Sequence, residues 1–346
     1  MNREKTIKTF SILGESMVKW GEKANYDAFN PFVADLFYER VEAAITSSKI
    51  YNGWFTEEAV RESFLNLGSI LTEDKLNDWV KAYSLAKNPK LVGLILAGNI
   101  PMVGFHDVLT TIFSGNKARI KLSRDDDKLI PLVLEMLTEL QPELKEQFEI
   151  VERLNDAEAI IATGSDNTAM YFEKYFGHLP NIIRKNRTSV AVLKGTESQE
   201  ELQSLGKDIF SYFGLGCRNV SHLLLPREYD LDQFFKAIVG YGEVINHHKY
   251  CNNYDYYKAI YLLSLEVITE NGFLILRETK DLSAPVAVLH YHFYDNQSDI
   301  DAYLKQHKEK IQVVVGKDYF PFGEAQCPKL DDYADNVDTM EFLTTF

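Results

Sequence analysis

Apolar side chains recur every three or four positions through the first 90 residues, which predicts amphipathic helices over 32–46, 57–67 and 73–86 packed against a core that later sequence supplies. The period then shortens. Leu91-Val92-Gly93-Leu94-Ile95-Leu96 is an unbroken apolar run of the kind found in a strand buried on both faces, and a turn at 98–101 and a helix to 114 follow it. A strand over 118–122, a helix over 128–140 and a strand over 159–162 come next, the last running into Thr163-Gly164-Ser165 and a helix over 168–176. From Ser189 the alternation starts again, with strands over 189–193, 221–225, 273–276, 286–290 and 311–315 and helices over 198–212, 231–244, 254–267 and 299–309. Such alternation makes this an α/β protein with parallel sheets covered on both faces. The expected organisation is a helical part over 1–90, a first α/β unit over 91–188, a second over 189–318 and a turn-rich, acidic closing segment over 319–346. No proline- or serine-rich linker parts the halves, so a cleft between two packed domains is expected, and ligands of such sheets bind beyond the carboxyl ends of the strands.

Length and charge narrow the field. The chain has 346 residues, 45% of them hydrophobic and 25% charged, without repeats or low-complexity tracts; that is enough for roughly two domains of about 150 residues. A net charge of −14 without clustered Lys and Arg argues against a nucleic-acid partner. The first residues are polar rather than a signal-peptide core, and the longest apolar stretch, 91–105, is broken by Asn99 and Pro101 and too short to span a bilayer. Three scattered cysteines, Cys217, Cys251 and Cys327, form neither a CxxC pair nor an even framework, which fits a reducing cytoplasm.

Of these cysteines, Cys217 has the setting of a nucleophile. In Gly214-Leu215-Gly216-Cys217-Arg218 two glycines let a substrate approach the backbone, the Cys217 N–H can face an oxyanion, and Arg218 favours thiolate; the alternative is a small buried hydrophobe. Asn99, in the turn after the run 91–96, is either an amide donor to an oxyanion or a turn former. Thr163-Gly164-Ser165 offers a hydroxyl and amide N–H groups to a phosphate, or a plain helix cap. A GxxxxGK[ST] loop, a complete GxGxxG, a GxSxG elbow and an HExxH pair are all missing. His290 and His292 share a strand face without a third ligand nearby, so a structural role is expected and no metal. His247-His248 reads as a helix-end pair that is charged part of the time.

In this order the pieces resemble the aldehyde dehydrogenase superfamily, most closely its LuxC-type branch of fatty acyl-CoA reductases, over roughly residues 90 to 346. The resemblance implies a Rossmann-type nucleotide-binding domain over 91–188, with 1–90 as its helical part, and a catalytic domain over 189–318. It gives Asn99, in Gly98-Asn99-Ile100-Pro101, a place in the oxyanion hole and makes Cys217 the acylated residue. Lys121, in Lys121-Leu122-Ser123-Arg124, would contact the adenosine ribose, and Thr163-Gly164-Ser165 would lie by the pyrophosphate. Asp281, in Asp281-Leu282-Ser283-Ala284-Pro285-Val286, stands where the family has a glutamate on the nicotinamide ribose. Pro321-Phe322-Gly323 matches a C-terminal turn of the superfamily, and the stretch 326–338, QCPKLDDYADNVD, most resembles the LuxC-type branch.

Two departures bear on chemistry. Hydrolytic members carry Glu-Leu-Gly-Gly where this chain reads Ile182-Ile183-Arg184-Lys185-Asn186, so the base that activates water is missing and an acyl-cysteine would persist for exchange with a thiol or for hydride transfer. Arg124 stands where NAD-preferring members commonly have a glutamate; an arginine there suits a 2′-phosphate, while a solvated loop residue beside three aspartates is the other possibility. The resemblance thus implies an NADPH-dependent acyl-CoA reductase, with NADH as the other candidate cofactor, that acts on an acyl-CoA or acyl-protein thioester and releases a fatty aldehyde. An acyl-activating synthetase partner and a homo-oligomer are expected from the same source. The alternatives are a non-acylating aldehyde dehydrogenase and an acyl-accepting protein with little reductase activity.

Overall fold

The computed structural model describes residues 2–345. The chain divides into two compact units, residues 1–185 with 329–346, and residues 186–328.

The first unit opens with α1 (Arg3–Gly21), α2 (Pro31–Tyr51), α3 (Glu57–Ile70) and α4 (Glu73–Val80). Each begins at a polar cap: Asn2, Asn30, Thr56 and Thr72 accept from backbone N–H groups in the first turn. α1 falls within the helical first 90 residues but shows no amphipathic segment of its own, because its nine buried positions include Thr6, Thr9, Gly14 and Ser16, which blur the apolar stripe. Then follow β1 (Leu91–Ile95), α5 (Phe105–Ser114), β2 (Lys117–Lys121), α6 (Leu129–Leu140), β3 (Phe148–Ile150), β4 (Ala159–Thr163), α7 (Asp166–Phe176) and β5 (Asn181–Arg184). The strands form one parallel sheet in the order β3-β2-β1-β4-β5, centred on the apolar β1. β3 and β5 are edge strands of three and four residues, too short to leave much signal in the sequence. One core joins α1–α6 to the sheet through Phe10, Trp20, Phe37, Phe64, Phe105 and Phe113.

The second unit contains β6 (Thr188–Val192), α8 (Gln199–Phe210), β7 (Val220–Pro226), α9 (Leu231–Ile238), α10 (His248–Leu263), β8 (Ile268–Glu270), β9 (Ile275–Glu278), β10 (Val288–Tyr294), α11 (Gln297–Gln306) and β11 (Ile311–Val315). Its sheet runs β11-β6-β7-β10-β9-β8, parallel except for the antiparallel edge pair β8–β9. Several expected boundaries shift. The helix over 231–244 ends at Ile238 and continues as a 3-10 segment through Gly240 and Gly242, where glycine weakens the α-helix. The helix over 254–267 starts at His248 and stops at Leu263, two residues before Leu265 takes a positive φ. The strand over 286–290 lies at Val288–Tyr294, since Ala287 has φ 66° and cannot extend it.

The chain ends back on the first unit with α12 (Thr339–Thr345). The His106 ring donates to Leu330 O (3.0 Å), Trp79 Nε1 to the Tyr333 hydroxyl (2.8 Å) and Asn116 Nδ2 to Leu343 O (2.7 Å), so this segment is fastened along its length.

Candidate active site

Cys217 lies in the second unit, three residues before β7, and is half-buried. The approach from α8 is unusual: Tyr212, Phe213 and Gly214 all have positive φ, of 52°, 60° and 79°. Two bulky residues in that region carry strain of about 1–3 kcal/mol each, which the surroundings must impose. A turn follows in which Asn219 N–H donates to Gly216 O at 3.0 Å, leaving Cys217 and Arg218 as its two central residues. The Asn219 side chain closes the turn from the other side, its Oδ1 accepting from Gly216 N–H at 2.8 Å. Below, Ser189 on β6 donates its hydroxyl to Cys217 O at 3.1 Å. Arg218 is buried and its guanidinium donates to Ala325 O at 3.1 Å, so it anchors a neighbouring loop as well as flanking the cysteine. The same loop is held by Asp208, whose carboxylate accepts from Gly323 N–H (2.7 Å) and Ala325 N–H (2.9 Å). Burial pushes the Asp208 carboxyl up to about 6. The Pro321-Phe322-Gly323 turn is thereby tied to the end of α8.

Asn99, Lys121, Arg124 and Thr163-Gly164-Ser165 lie in the first unit, at the carboxyl ends of β1, β2 and β4. With the order β3-β2-β1-β4-β5, that edge includes the β1–β4 boundary where the strand order reverses, the ligand position of such sheets. The loops after β1 and β2 touch: a Cβ on Gly98 would fall 2.6 Å from Ser123 Oγ, so only glycine fits. Asn99 is exposed on its loop, which Ser63 Oγ holds through Pro101 O (2.7 Å) and Asp126 holds by accepting from Met102 N–H (2.7 Å). Asp126 is nearly fully buried, which pushes its carboxyl up to about 7. Arg124 is exposed two residues before it. Ser165 caps α7, accepting from Thr168 N–H (3.3 Å), while Gly164 N–H is engaged with Arg184 O (3.2 Å).

Lys121, the last residue of β2, borders a cavity of about 500 Å³ whose wall includes Ile95, Leu154, Tyr171, Phe172 and Tyr175. Aromatic faces beside a lysine suit a planar base joined to an anionic group. The α7 aromatics were not singled out from the sequence; their signal is the pairing of Tyr171-Phe172 with Tyr175-Phe176 one turn later.

Arg184, inside the stretch that departs from the hydrolytic pattern, is buried against Asp107 of α5, with Nη1 donating to both carboxylate oxygens at 2.7 and 2.8 Å. Its Nη2 donates to Thr339 Oγ1 at 3.1 Å.

In the second unit Asp281 is exposed, and its backbone carbonyl accepts from His222 Nδ1 (3.0 Å) and His290 Nδ1 (2.9 Å). His222 Nε2 meets His292 Nδ1 at 2.7 Å. Burial and mutual repulsion lower His222 to about 3, and burial lowers His292 to about 4, so both are neutral packing groups. Among the described residues no set of three or more His, Cys, Asp or Glu is arranged to hold a metal ion. His247 lies at a helix end, as expected: it caps the N-terminus of α10, its Nδ1 accepting from Tyr250 N–H at 3.4 Å. No helix among the described residues is long and apolar enough to cross a membrane.

Residues 41–233 match the sequence family described as acyl-CoA reductase (LuxC). No curated protein matches the chain. Among solved structures, aldehyde dehydrogenase 21 from Physcomitrella patens, in complex with the reaction product succinate, aligns over 99% of this chain and 84% of its own at 10% identity and a TM-score of 0.65. A variant of aldehyde dehydrogenase C from Pseudomonas syringae, complexed with NAD+ and octanal, covers 91% of this chain and 72% of its own at 10% identity, TM-score 0.62. The indole-3-acetaldehyde dehydrogenase AldA from P. syringae, with NAD+, covers the same shares at 10% identity and a TM-score of 0.61.

Proposed function

The chain belongs to the acyl-CoA reductase (LuxC) family and carries an aldehyde dehydrogenase fold, and from that premise we propose that it is an acyl-CoA reductase that forms a thioester at Cys217 and releases a fatty aldehyde. The observation that carries the proposal is the tight turn holding Cys217 at the mouth of β7, entered through strained left-handed residues and closed by Asn219. In the first step Cys217 Sγ attacks the acyl carbonyl, the new C–S bond forms, and the C–S bond to coenzyme A breaks with its thiolate leaving. The Asn99 amide and the Cys217 N–H are assigned to the oxygen that gains charge in that step. The stretch 182–186 contains no carboxylate, and the lack of a water-activating base there favours survival of the acyl group on sulfur.

A nicotinamide nucleotide fits the first unit: Lys121 and the α7 aromatics would hold its adenosine part, the edge at Thr163-Gly164-Ser165 its phosphates, and Arg124 a 2′-phosphate, which makes NADPH the preferred form. Asp281 is assigned to the nicotinamide ribose. When bound, the cofactor supplies the hydride that brings the acyl group to the aldehyde level. The protein's part is to hold the acyl carbonyl on Cys217 until its bond to sulfur breaks. Acyl-CoA-dependent oxidation of NADPH, with trapping of the aldehyde, tests the function. One aldehyde formed per NADPH, abolished in Cys217→Ala, is expected; acylation with no oxidation of either NADPH or NADH would make the protein an acyl acceptor serving a partner synthetase instead.

A further inference from the structure

Four hydrogen bonds converge on the side chain of Asn219, which is 2% exposed. Oδ1 accepts from Gly216 N–H at 2.8 Å, while Nδ2 faces three carbonyls at the end of α8: Asp208 O at 3.0 Å, Ile209 O at 3.3 Å and Ser211 O at 2.9 Å. These acceptors belong to the last turn of a helix, where carbonyls lack partners within the helix. Immediately after them the backbone swings through Tyr212, Phe213 and Gly214 with positive φ. One primary amide therefore joins the end of α8 to the turn that carries Cys217, across the strained bend between them.

The main chain of Asn219 is committed as well. Its N–H donates to Gly216 O (3.0 Å), and its carbonyl accepts from Ser189 N–H (3.1 Å) and from the Thr188 hydroxyl (3.3 Å), both on β6. Ser189 also donates its hydroxyl to Cys217 O. The turn is thus fixed to α8 through the Asn219 side chain and to the sheet through the Asn219 carbonyl and the Ser189–Cys217 bond.

We propose that Asn219 is the positioning residue of the nucleophile: its amide, accepting from Gly216 N–H and donating to the end of α8, sets the direction of the Cys217 Sγ and N–H. The proposal rests on Cys217 being the acylated residue. Only a primary amide of this length supplies both an acceptor for one N–H and two N–H donors for the carbonyls. Aspartate keeps the acceptor but turns a charge toward three carbonyls, and alanine removes both functions. Misplacement of a reacting group by about 1 Å is enough to lower a rate on the order of a hundredfold.

The test measures two reactions of Cys217 in the full chain, wild type and Asn219→Ala, Asn219→Asp and Asn219→Gln: acyl transfer from acyl-CoA under single-turnover conditions, and alkylation by iodoacetamide, which needs no substrate alignment. Circular dichroism establishes that each variant is folded. Asn219→Ala should lose about a hundredfold or more in the maximal rate of acyl transfer with little change in the acyl-CoA concentration giving half that rate. Its alkylation rate should fall by less than about tenfold, and Asn219→Gln should recover part of the transfer rate. A structural role alone would lower the melting temperature and leave the transfer rate per folded molecule within about threefold of wild type, which overturns the proposal. Should Asn219→Ala not fold, Asn219→Gln takes its place, and a transfer rate equal to wild type in that variant also overturns it. If wild type acylates at a residue other than Cys217, it is the assignment of the nucleophile that fails; the alkylation rates then decide alone, an unchanged rate in every folded variant excluding any control of Cys217 by Asn219.

Discussion

Arg124 stands three residues past Lys121 on an exposed loop followed by Asp125, Asp126 and Asp127, so its charge is set in an otherwise acidic stretch. A charge-assisted contact from arginine to a 2′-phosphate is worth about 1.5–3 kcal/mol, or roughly tenfold to more than a hundredfold in affinity. Arg124→Glu should weaken NADPH by that factor and leave NADH nearly unchanged in paired titrations; equal losses for both cofactors would make it a solvated loop residue. Asn99 differs in kind, since its loop is held by Ser63 and Asp126 while its side chain is exposed. Asn99→Ala should cut single-turnover acyl transfer by roughly a hundredfold or more if the amide serves the oxyanion, whereas a loss below about threefold would mark a turn former. Cys217 stands out in the sequence as a candidate because Gly214 and Gly216 precede it. Asn219 does not, because what distinguishes it is the set of backbone groups it satisfies, and those depend on a left-handed bend that starts at Tyr212 and Phe213, residue types that do not announce it.

At the scale of elements, the strands that the sequence reveals most plainly lie inside the first sheet. Residues 91–96 and 159–162 are continuous apolar runs, and the structure has β1 and β4 there. β3 and β8, three residues each at sheet edges, have no such run, and the helix ends around Ile238 and Leu263 depend on glycines and a positive φ rather than on period. Ile182-Ile183-Arg184, the stretch without a water-activating carboxylate, forms the end of β5, where Arg184 is paired with Asp107 of α5 and bonded to Thr339 at the start of α12. Removing one member of a buried ion pair leaves the other uncompensated and costs about 3–5 kcal/mol. Asp107→Asn should therefore lower the stability of the first unit by about that amount in urea unfolding, and Asp107→Asn with Arg184→Met should recover most of it. An unchanged midpoint in the single variant would mean that the pair contributes nothing.

Across the whole molecule the buried titrating groups oppose one another. In the first unit burial raises Asp126 to about 7 against an ordinary value of about 3.9. The folded state then binds the proton more tightly than the unfolded one, so the stability associated with this group is fully present below about pH 4 and is lost as pH rises through 7. In the second unit His222 and His292 are lowered to about 3 and about 4 from an ordinary 6.5. Their contribution is present above pH 6.5 and is lost as pH falls toward those values, with Asp208, raised to about 6, working the other way. Asp126→Asn should gain stability relative to wild type between pH 5 and 8, read as the difference in urea midpoints of the first unit. A constant difference over that range would show that Asp126 does not titrate there.

The family assignment spans both units, since residues 41–233 run from α2 to α9. The central claim is narrower: one thiol in the second unit takes the acyl group. Incubation of the full chain with an acyl-CoA in the absence of nicotinamide nucleotide, followed by peptide mapping by mass spectrometry, reads it directly. The account predicts a single hydroxylamine-labile acyl adduct on the peptide containing Cys217, absent from Cys217→Ala. An adduct on Cys251 or Cys327 instead, or wild-type levels of acylation persisting in Cys217→Ala, would contradict it.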